Sequence, residues 1–381
     1  MTKTVAIEKC GEYDPQKVFT AIQQLFQLVP PPDVKGKTVL IKPNILYPKR
    51  PELAVCTHPV VVGAVVRAFR ELGASRVMAG ESPAVANSLQ AAKATGMYDE
   101  VVKNGGEWAD FGADQVTVEC SSGKTVRSFE FASQFVQADV IVSVAKLKTH
   151  QLMSYTEAMK NLFGLIVGLK KAETHYRFPD KKDFGSFLVD LNIAARPQYA
   201  VMDAVVGMEG SGGPGSGDPV KLGFLASSDN IAALDWECSS IVGYNPHEIV
   251  YLEEALKRGI WFASPEEIHT AGCTPDDVRP AVFRIVRQPS PTLSRMMPRF
   301  IDQAARLFLV RNPAFKAGPC IRCGRCIEIC PAHILSFVSD RSRKGRHVEI
   351  SSRESCLHCF CCHEICPAGA VRLSHFVSKH R

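Results

Sequence analysis

Two copies of one cysteine pattern constrain this chain more than anything else in it. Cys320, Cys323, Cys326 and Cys330 precede Pro331, and Cys356, Cys359, Cys362 and Cys366 precede Pro367. Both read C-x2-C-x2-C-x3-C-P, an internal repeat of about 36 residues that holds eight of the 14 cysteines. Three thiolates two residues apart wrap a tight loop around three irons of a cubane, and the fourth opens a helical turn directed at the other cluster. This crossing predicts one ligand set of Cys320, Cys323, Cys326 and Cys366, and a second of Cys356, Cys359, Cys362 and Cys330. Paired zinc sites are the competing reading, but they use separated C-x2-C pairs without the third cysteine or the Cys-Pro ending. Cys361 is a spare thiol whose use would break the symmetry of the two motifs, so it is left out of both sets. Cys10, Cys56, Cys120, Cys238 and Cys273 show no ligand spacing.

Residues 316–381 resemble the bacterial two-[4Fe–4S] ferredoxin family, which implies two [4Fe–4S] clusters that store and pass single electrons. The segment departs from that pattern in its spacing: about twenty-five residues, including the basic run Arg341 to His347, separate the motifs and suggest an extended hairpin. The N-terminal stretch MTKTVAIEKCGEYD has no long apolar core or small-residue cleavage site, and no window has the eighteen apolar residues of a spanning helix. A cytoplasmic address is therefore expected, where thiols stay reduced and clustered cysteines favour metal over disulfides. The net charge of +6 is mild for 381 residues and does not point to nucleic acid.

The preceding three hundred residues alternate apolar strands with helices. Strands are read at Thr38–Ile41, Arg76–Ala79, Asp139–Ala145 and Tyr199–Val206. A helix is read from about His58 to Leu72, with Thr57 as its cap, Pro59 in its first turn and Gly73 at its end. Another helix is read through NSLQAAKATGMYDEVVKNG. Such alternation implies a mostly parallel sheet with helices on both faces, an α/β domain over residues 1–288. Residues 289–315 read as a basic amphipathic linker helix, for which packing between the domains is favoured over contact with a membrane surface. A small α+β ferredoxin-like domain follows over 316–381.

Polar residues directly follow the strand ends: Lys42 and Asn44, Glu81, then Lys146, Lys148 and His150, and finally Asp203. In open parallel sheets ligands bind outside the carboxyl ends of the strands, so these side chains are candidates for one rim. The bland alternative is that they are solvated loop residues. Lys160 and Asn161 follow amid apolar neighbours; if helical, Lys160 shares a face with Thr156 and Phe163, and otherwise it snorkels. The glycine-rich run from Gly207 to Pro219 matches no phosphate-binding loop or dinucleotide fingerprint; its successive backbone N–H groups offer a cradle for an anion, and a lid or a linker is the equal alternative.

In this order, LIKPNIL, CTHP, GES, KLKTH, MKNLFG and DAVVGMEGSGGPGSG resemble the DUF362 family over roughly residues 3–240, a resemblance that names no substrate. Together these features suggest an iron–sulfur oxidoreductase with a small, anionic substrate at the rim. Lys42, Lys146, Lys148 and Lys160 would hold negative charge, Asn44, Asn161 and Asp203 would orient the substrate, and His150 or Glu81 would move the proton. The alternative is a non-catalytic electron carrier that binds a partner protein. Either reading requires a redox partner or a low-potential electron donor. No motif indicates a flavin, and the oligomeric state is left open.

Overall fold

The structure is a computed structural model that describes residues 2–112, 114–287, 311–340 and 345–374. Its central sheet begins with β1 (Lys3–Lys9), β2 (Thr38–Pro43), β3 (Arg76–Glu81) and β4 (Glu107–Asp110). A hairpin of β5 (Gln115–Glu119) and β6 (Ser128–Ala132) stands apart. The sheet continues with β7 (Val140–His150), β8 (Ser154–Thr156), β9 (Tyr199–Glu209), β10 (Asp218–Ser228) and β11 (Ile268–Gly272). The strands lie in the order β11-β1-β10-β9-β7-β2-β3-β4, with β8 paired to β7. From β9 to β4 the neighbours along this order are parallel, and β10 joins antiparallel to β9 and β1. The mostly parallel α/β sheet expected from the sequence is present.

Period-two alternation builds a core on each face. Val39, Ile41, Val77, Ala79, Val140, Val142 and Val144 pack with the helices α1 (Pro15–Leu28), α2 (Pro59–Glu71), α3 (Ser88–Ala94) and α4 (Met97–Lys103). Leu40, Met78, Ile141 and Ala145 face the other way. They pack with α5 (Ala158–Asn161), α7 (Lys181–Ala195), α8 (Ile231–Ile241) and α9 (Val250–Arg258), while α6 (Lys170–Arg177) lies between α5 and α7 in the chain. Two expectations are corrected here. Thr57 does not cap α2: His58 Nδ1 accepts from Val60 N at 3.3 Å, while Thr57 Oγ1 donates to Val144 O at 2.8 Å and so ties the loop after β2 to β7. The single helix expected after Asn87 is two, broken where Gly96 takes φ +76°.

After the short α10 (Pro275–Val278), the ferredoxin-like part is built from β12 (Asn312–Phe315), α11 (Arg325–Glu328), β13 (Leu335–Asp340), β14 (Gly345–Ile350), α12 (Cys361–Glu364) and β15 (Val371–Ser374). β13 and β14 form the expected hairpin, and β12 pairs antiparallel with β15. Most of the proposed linker helix lies outside the described residues. Its last residues are not helical: Asn312–Phe315 is a strand of the ferredoxin-like part, held by pairing to Val371–Ser374. Ile329, Cys361 and Ile365 join the apolar core of the large domain, so the two parts pack directly on each other.

Candidate functional site

The rim differs from the sequence reading in one respect. Lys146, Lys148 and His150 are not in a loop. β7 runs on to His150 because β8 pairs with its last residues, Lys148 opposite Thr156 and His150 opposite Ser154. Lys42 and Glu81 likewise end β2 and β3, and Asp203 lies inside β9 opposite Lys146. Nor are these groups solvated. Lys42, Glu81, Lys146, Lys148, His150, Asn161 and Asp203 are all buried, and Asn44 is half-buried.

Burial forces partners on charged groups, and the partners divide the candidates into three sets. In the first, Lys42 Nζ donates to Glu81 Oε2 at 2.5 Å and to Pro43 O at 2.7 Å. Ile45 N and Ser82 N also donate to Glu81, at 3.2 and 2.8 Å. Asn161 Nδ2 donates to Lys42 O at 2.7 Å, Asn44 Nδ2 to Asn161 Oδ1 at 3.3 Å, and Lys148 Nζ to Asn44 Oδ1 at 2.6 Å. These five side chains form one continuous net. Burial pushes the Lys148 amine down to about 7. Gly164 leaves room for the net, since a Cβ there would come within 2.1 Å of Glu81 Oε1.

The second set is closed on itself. Lys146 Nζ meets Asp203 Oδ2 at 2.9 Å and Tyr13 OH at 2.7 Å, and Tyr13 OH donates to Asp203 Oδ1 at 2.9 Å. His58 N also donates to Asp203, at 2.9 Å, and the His58 ring stacks on Tyr13 at 3.6 Å. This set braces α1, α2, β7 and β9, and its residues are absent from the cavity described next. In the third set, His150 Nδ1 accepts from Leu152 N and Met153 N, and its Nε2 lies 3.3 Å from Glu364 Oε1 on α12.

A cavity of about 100 Å³ lies between the rim and the ferredoxin-like part. One wall carries Asn44, Glu81, Lys160 and Asn161; the other carries Ile329, Cys361, Glu364 and Ile365. Lys160 sits at the end of α5, where the chain tightens to a 3-10 turn at Leu162–Leu165; Thr156 belongs to β8, so the shared helical face expected for Thr156 and Lys160 does not form. Among the described residues the Lys160 amine has no hydrogen-bond partner and lies 6.0 Å from the Phe163 ring centroid. Sequence reasoning missed Lys171, His175 and Glu364, which line the same space. Burial pushes Lys171 down to about 7, with its Nζ donating to Ser82 O and Ile166 O, and pushes His175 down to about 3, with Nδ1 unpartnered. Burial also raises Glu364 to about 7, against the pull of Lys160 and Lys148. Only the spacing of Lys171 and His175 on α6 could have pointed to them.

The eight motif cysteines divide between two further cavities. Cys320, Cys323, Cys326 and Cys366 line one, and Cys330, Cys356, Cys359 and Cys362 line another. The lining of the first includes Cys366 and that of the second Cys330; Cys361 touches the second cavity and also the interdomain one. The backbone repeats with the sequence. Arg322 and His358 take φ +58° and +53°, Gly324 and Phe360 +78° and +62°, His333 and Gly369 +51° and +58°. Left-handed residues thus recur at matching steps of the two motifs. Soft sulfur donors at this spacing suit iron–sulfur cluster binding.

A family described as a domain of unknown function, DUF362, matches residues 39–240, and a 4Fe-4S dicluster domain matches 319–370. A thylakoid-associated protein of Synechocystis sp. is 30% identical over 268 residues, covering 68% of this chain and 81% of that protein. The lactate racemase apoprotein from Thermoanaerobacterium thermosaccharolyticum is similar at 14% identity and a TM-score of 0.40, over 62% of this chain and 56% of that one, too slight a likeness to bear on function. Among the described residues no helix is long and apolar enough to cross a membrane.

Proposed function

This chain belongs to the DUF362 family, and we propose that it is an iron–sulfur oxidoreductase in which a small anion bound in the interdomain cavity receives electrons. The observation that carries this reading is the shared wall: Cys361, Glu364 and Ile365 of the second motif border the same space as Asn44, Glu81, Lys160 and Asn161. Cys320, Cys323, Cys326 and Cys366 would hold one cluster, and Cys330, Cys356, Cys359 and Cys362 the other. Such clusters supply single electrons at potentials set by hydrogen bonds and burial. Lys160, on the wall and without a hydrogen-bond partner among the described residues, binds the negative charge. Asn44 and Asn161, fixed by Lys148 and Lys42, orient it through their amides. His175, held neutral by burial, offers its unpartnered Nδ1. Lys171, with its amine pushed down to about 7, gives up a proton as the substrate is reduced.

The test is anaerobic. Reduced, cluster-loaded protein is mixed with a panel of small carboxylates and oxyanions, and the return of cluster absorbance is followed. At least one anion should restore the absorbance, and Lys160→Met should raise the concentration needed by about tenfold or more, a loss on the scale of one charge-assisted contact. If every anion leaves the clusters reduced, or Lys160→Met changes nothing, the substrate reading is wrong. The crossed ligand sets are tested separately. Cys366→Ala should remove the cluster nested in the first motif, and Cys330→Ala the one nested in the second, each halving bound iron.

A further inference from the structure

The two cysteine cavities differ in what surrounds them. The second turns toward the large domain, with Phe360 and Cys361 buried, and among the described residues its wall holds no lysine or arginine. The first has residues exposed at the surface. Cys323 is exposed, and beside it Ile321 is 65% exposed, a large apolar side chain at the surface with Lys316, Arg322 and Arg325 on the same wall. Arg322 Nε donates to Arg346 O at 3.0 Å, and His347 and Val348 belong to the wall, so β14 brings Arg346 and His347 against the first motif. Among the described residues this wall carries no carboxylate. In the sequence, residues 316–325 hold three Lys/Arg and residues 341–347 hold four, with no Asp or Glu in either stretch.

We propose that this face is the port through which electrons arrive, and that its occupant is an acidic one-electron carrier protein docked over Ile321. An exposed apolar residue ringed by cations and placed beside an exposed cluster cysteine has the anatomy of a small redox interface: an anchor at the centre and charge at the rim. The charge selects the partner. A carboxylate-rich surface is steered onto the face, while a basic one is repelled, a second copy of this chain with its +6 charge included. In the step itself the docked carrier loses one electron and the cluster held by the first set gains it; no bond forms and no proton moves. The cavity of the second set shares Cys361 with the interdomain cavity. The inference rests on the clusters of the reading above, but not on the cavity or its substrate.

The test uses the full, cluster-loaded chain and an acidic plant-type [2Fe–2S] ferredoxin as probe, both oxidised, with binding read by calorimetry. The dissociation constant should rise by about tenfold or more between roughly 20 and 200 mM salt, as expected for a screened charged interface. Lys316→Glu and Arg346→Glu should each weaken binding about three- to tenfold at low salt with cluster content unchanged, and Ile321→Ser should do so at either salt. Lys160→Met, which alters the cavity, should leave docking untouched, so docking can succeed where the substrate reading fails. Absence of binding at low salt overturns the proposal, as does binding indifferent to salt and to both charge reversals. It is also overturned if the same reversals abolish tighter binding to RNA or to anionic phosphatidylserine vesicles than to the ferredoxin. The salt series on the unaltered chain decides the matter even if a variant fails to fold.

Discussion

Gly215 holds the two parts of the molecule at their working distance, and replacing it with alanine should part them. The residue lies in the turn between β9 and β10, where its carbonyl accepts a hydrogen bond from Tyr47 OH at 3.1 Å. A Cβ at Gly215 would stand 2.2 Å from the Glu364 carbonyl oxygen and 3.1 Å from its carbon. Ordinary contact begins near 3.4 Å, so α12 must retreat by roughly 1.2 Å, and neither side offers a flexible side chain that could yield instead. Overpacking of this kind costs about 1–3 kcal/mol. That cost should appear as about 5- to 150-fold faster hydrogen–deuterium exchange in residues 210–217 and 360–366. Exchange in β2 and β7 should stay as it was. The displaced wall carries Cys361, Glu364 and Ile365, so the 3.3 Å approach of His150 to Glu364 opens with it. Gly11→Ala is the control, because a Cβ there meets nothing within 4 Å. If Gly215→Ala exchanges like the unaltered chain within twofold, the contact does not hold the domains, and the reasoning fails.

Other consequences are as specific. Lys42→Met leaves the Glu81 carboxylate buried without its cation and should cost about 3–5 kcal/mol in urea unfolding, whereas Lys42→Met with Glu81→Leu should recover much of the loss; a single variant within 1 kcal/mol of the parent refutes a charged pair. His58 is pushed down to about 4 by burial, and its Nδ1 must stay unprotonated to accept from Val60 N. The folded state therefore binds fewer protons than the unfolded between pH 4 and 6.5, and the sign follows: stability rises with pH across that window, while the contribution is absent below it. His58→Asn keeps a capping side chain and does not titrate, so its midpoint of unfolding should be flatter from pH 4 to 6.5; an unchanged slope would assign the effect elsewhere.

How much of this was legible in the sequence depended on whether the signal was local. The apolar alternation of β2, β3, β7 and β9 is local, and the strands form as read; the cysteine spacing is local too, and the motif cysteines line two cavities. Glycine runs are less explicit. The Gly207–Pro219 stretch read as a lid or a linker, yet it is a hairpin turn whose bare backbone admits close neighbours: a Cβ at Gly213 would come within 2.2 Å of Thr149 Oγ1, and one at Gly215 within 2.2 Å of Glu364 O. Nothing within the stretch reveals those neighbours, one of which is about 150 residues away.

The rim shows the same limit from the other side. Lys146 and Lys148 are two residues apart on one strand and seem interchangeable in the sequence, but their partners come from different places. Asp203 on β9 and Tyr13 before α1 close Lys146 into a brace, while Asn44 after β2 draws Lys148 toward the cavity wall. Strand ends bring polar groups to a common edge; which of them face a ligand is decided by the acceptors that distant segments bring. The same logic explains why Lys160 matters and could not be ranked beforehand. It is the lysine left over after Glu81, Asp203 and Asn44 have taken Lys42, Lys146 and Lys148, and the second cysteine motif then closes the cavity in front of it. A half-buried cation with no hydrogen-bond partner among the described residues is costly to keep from water, and a bound anion is the group that would offset that cost.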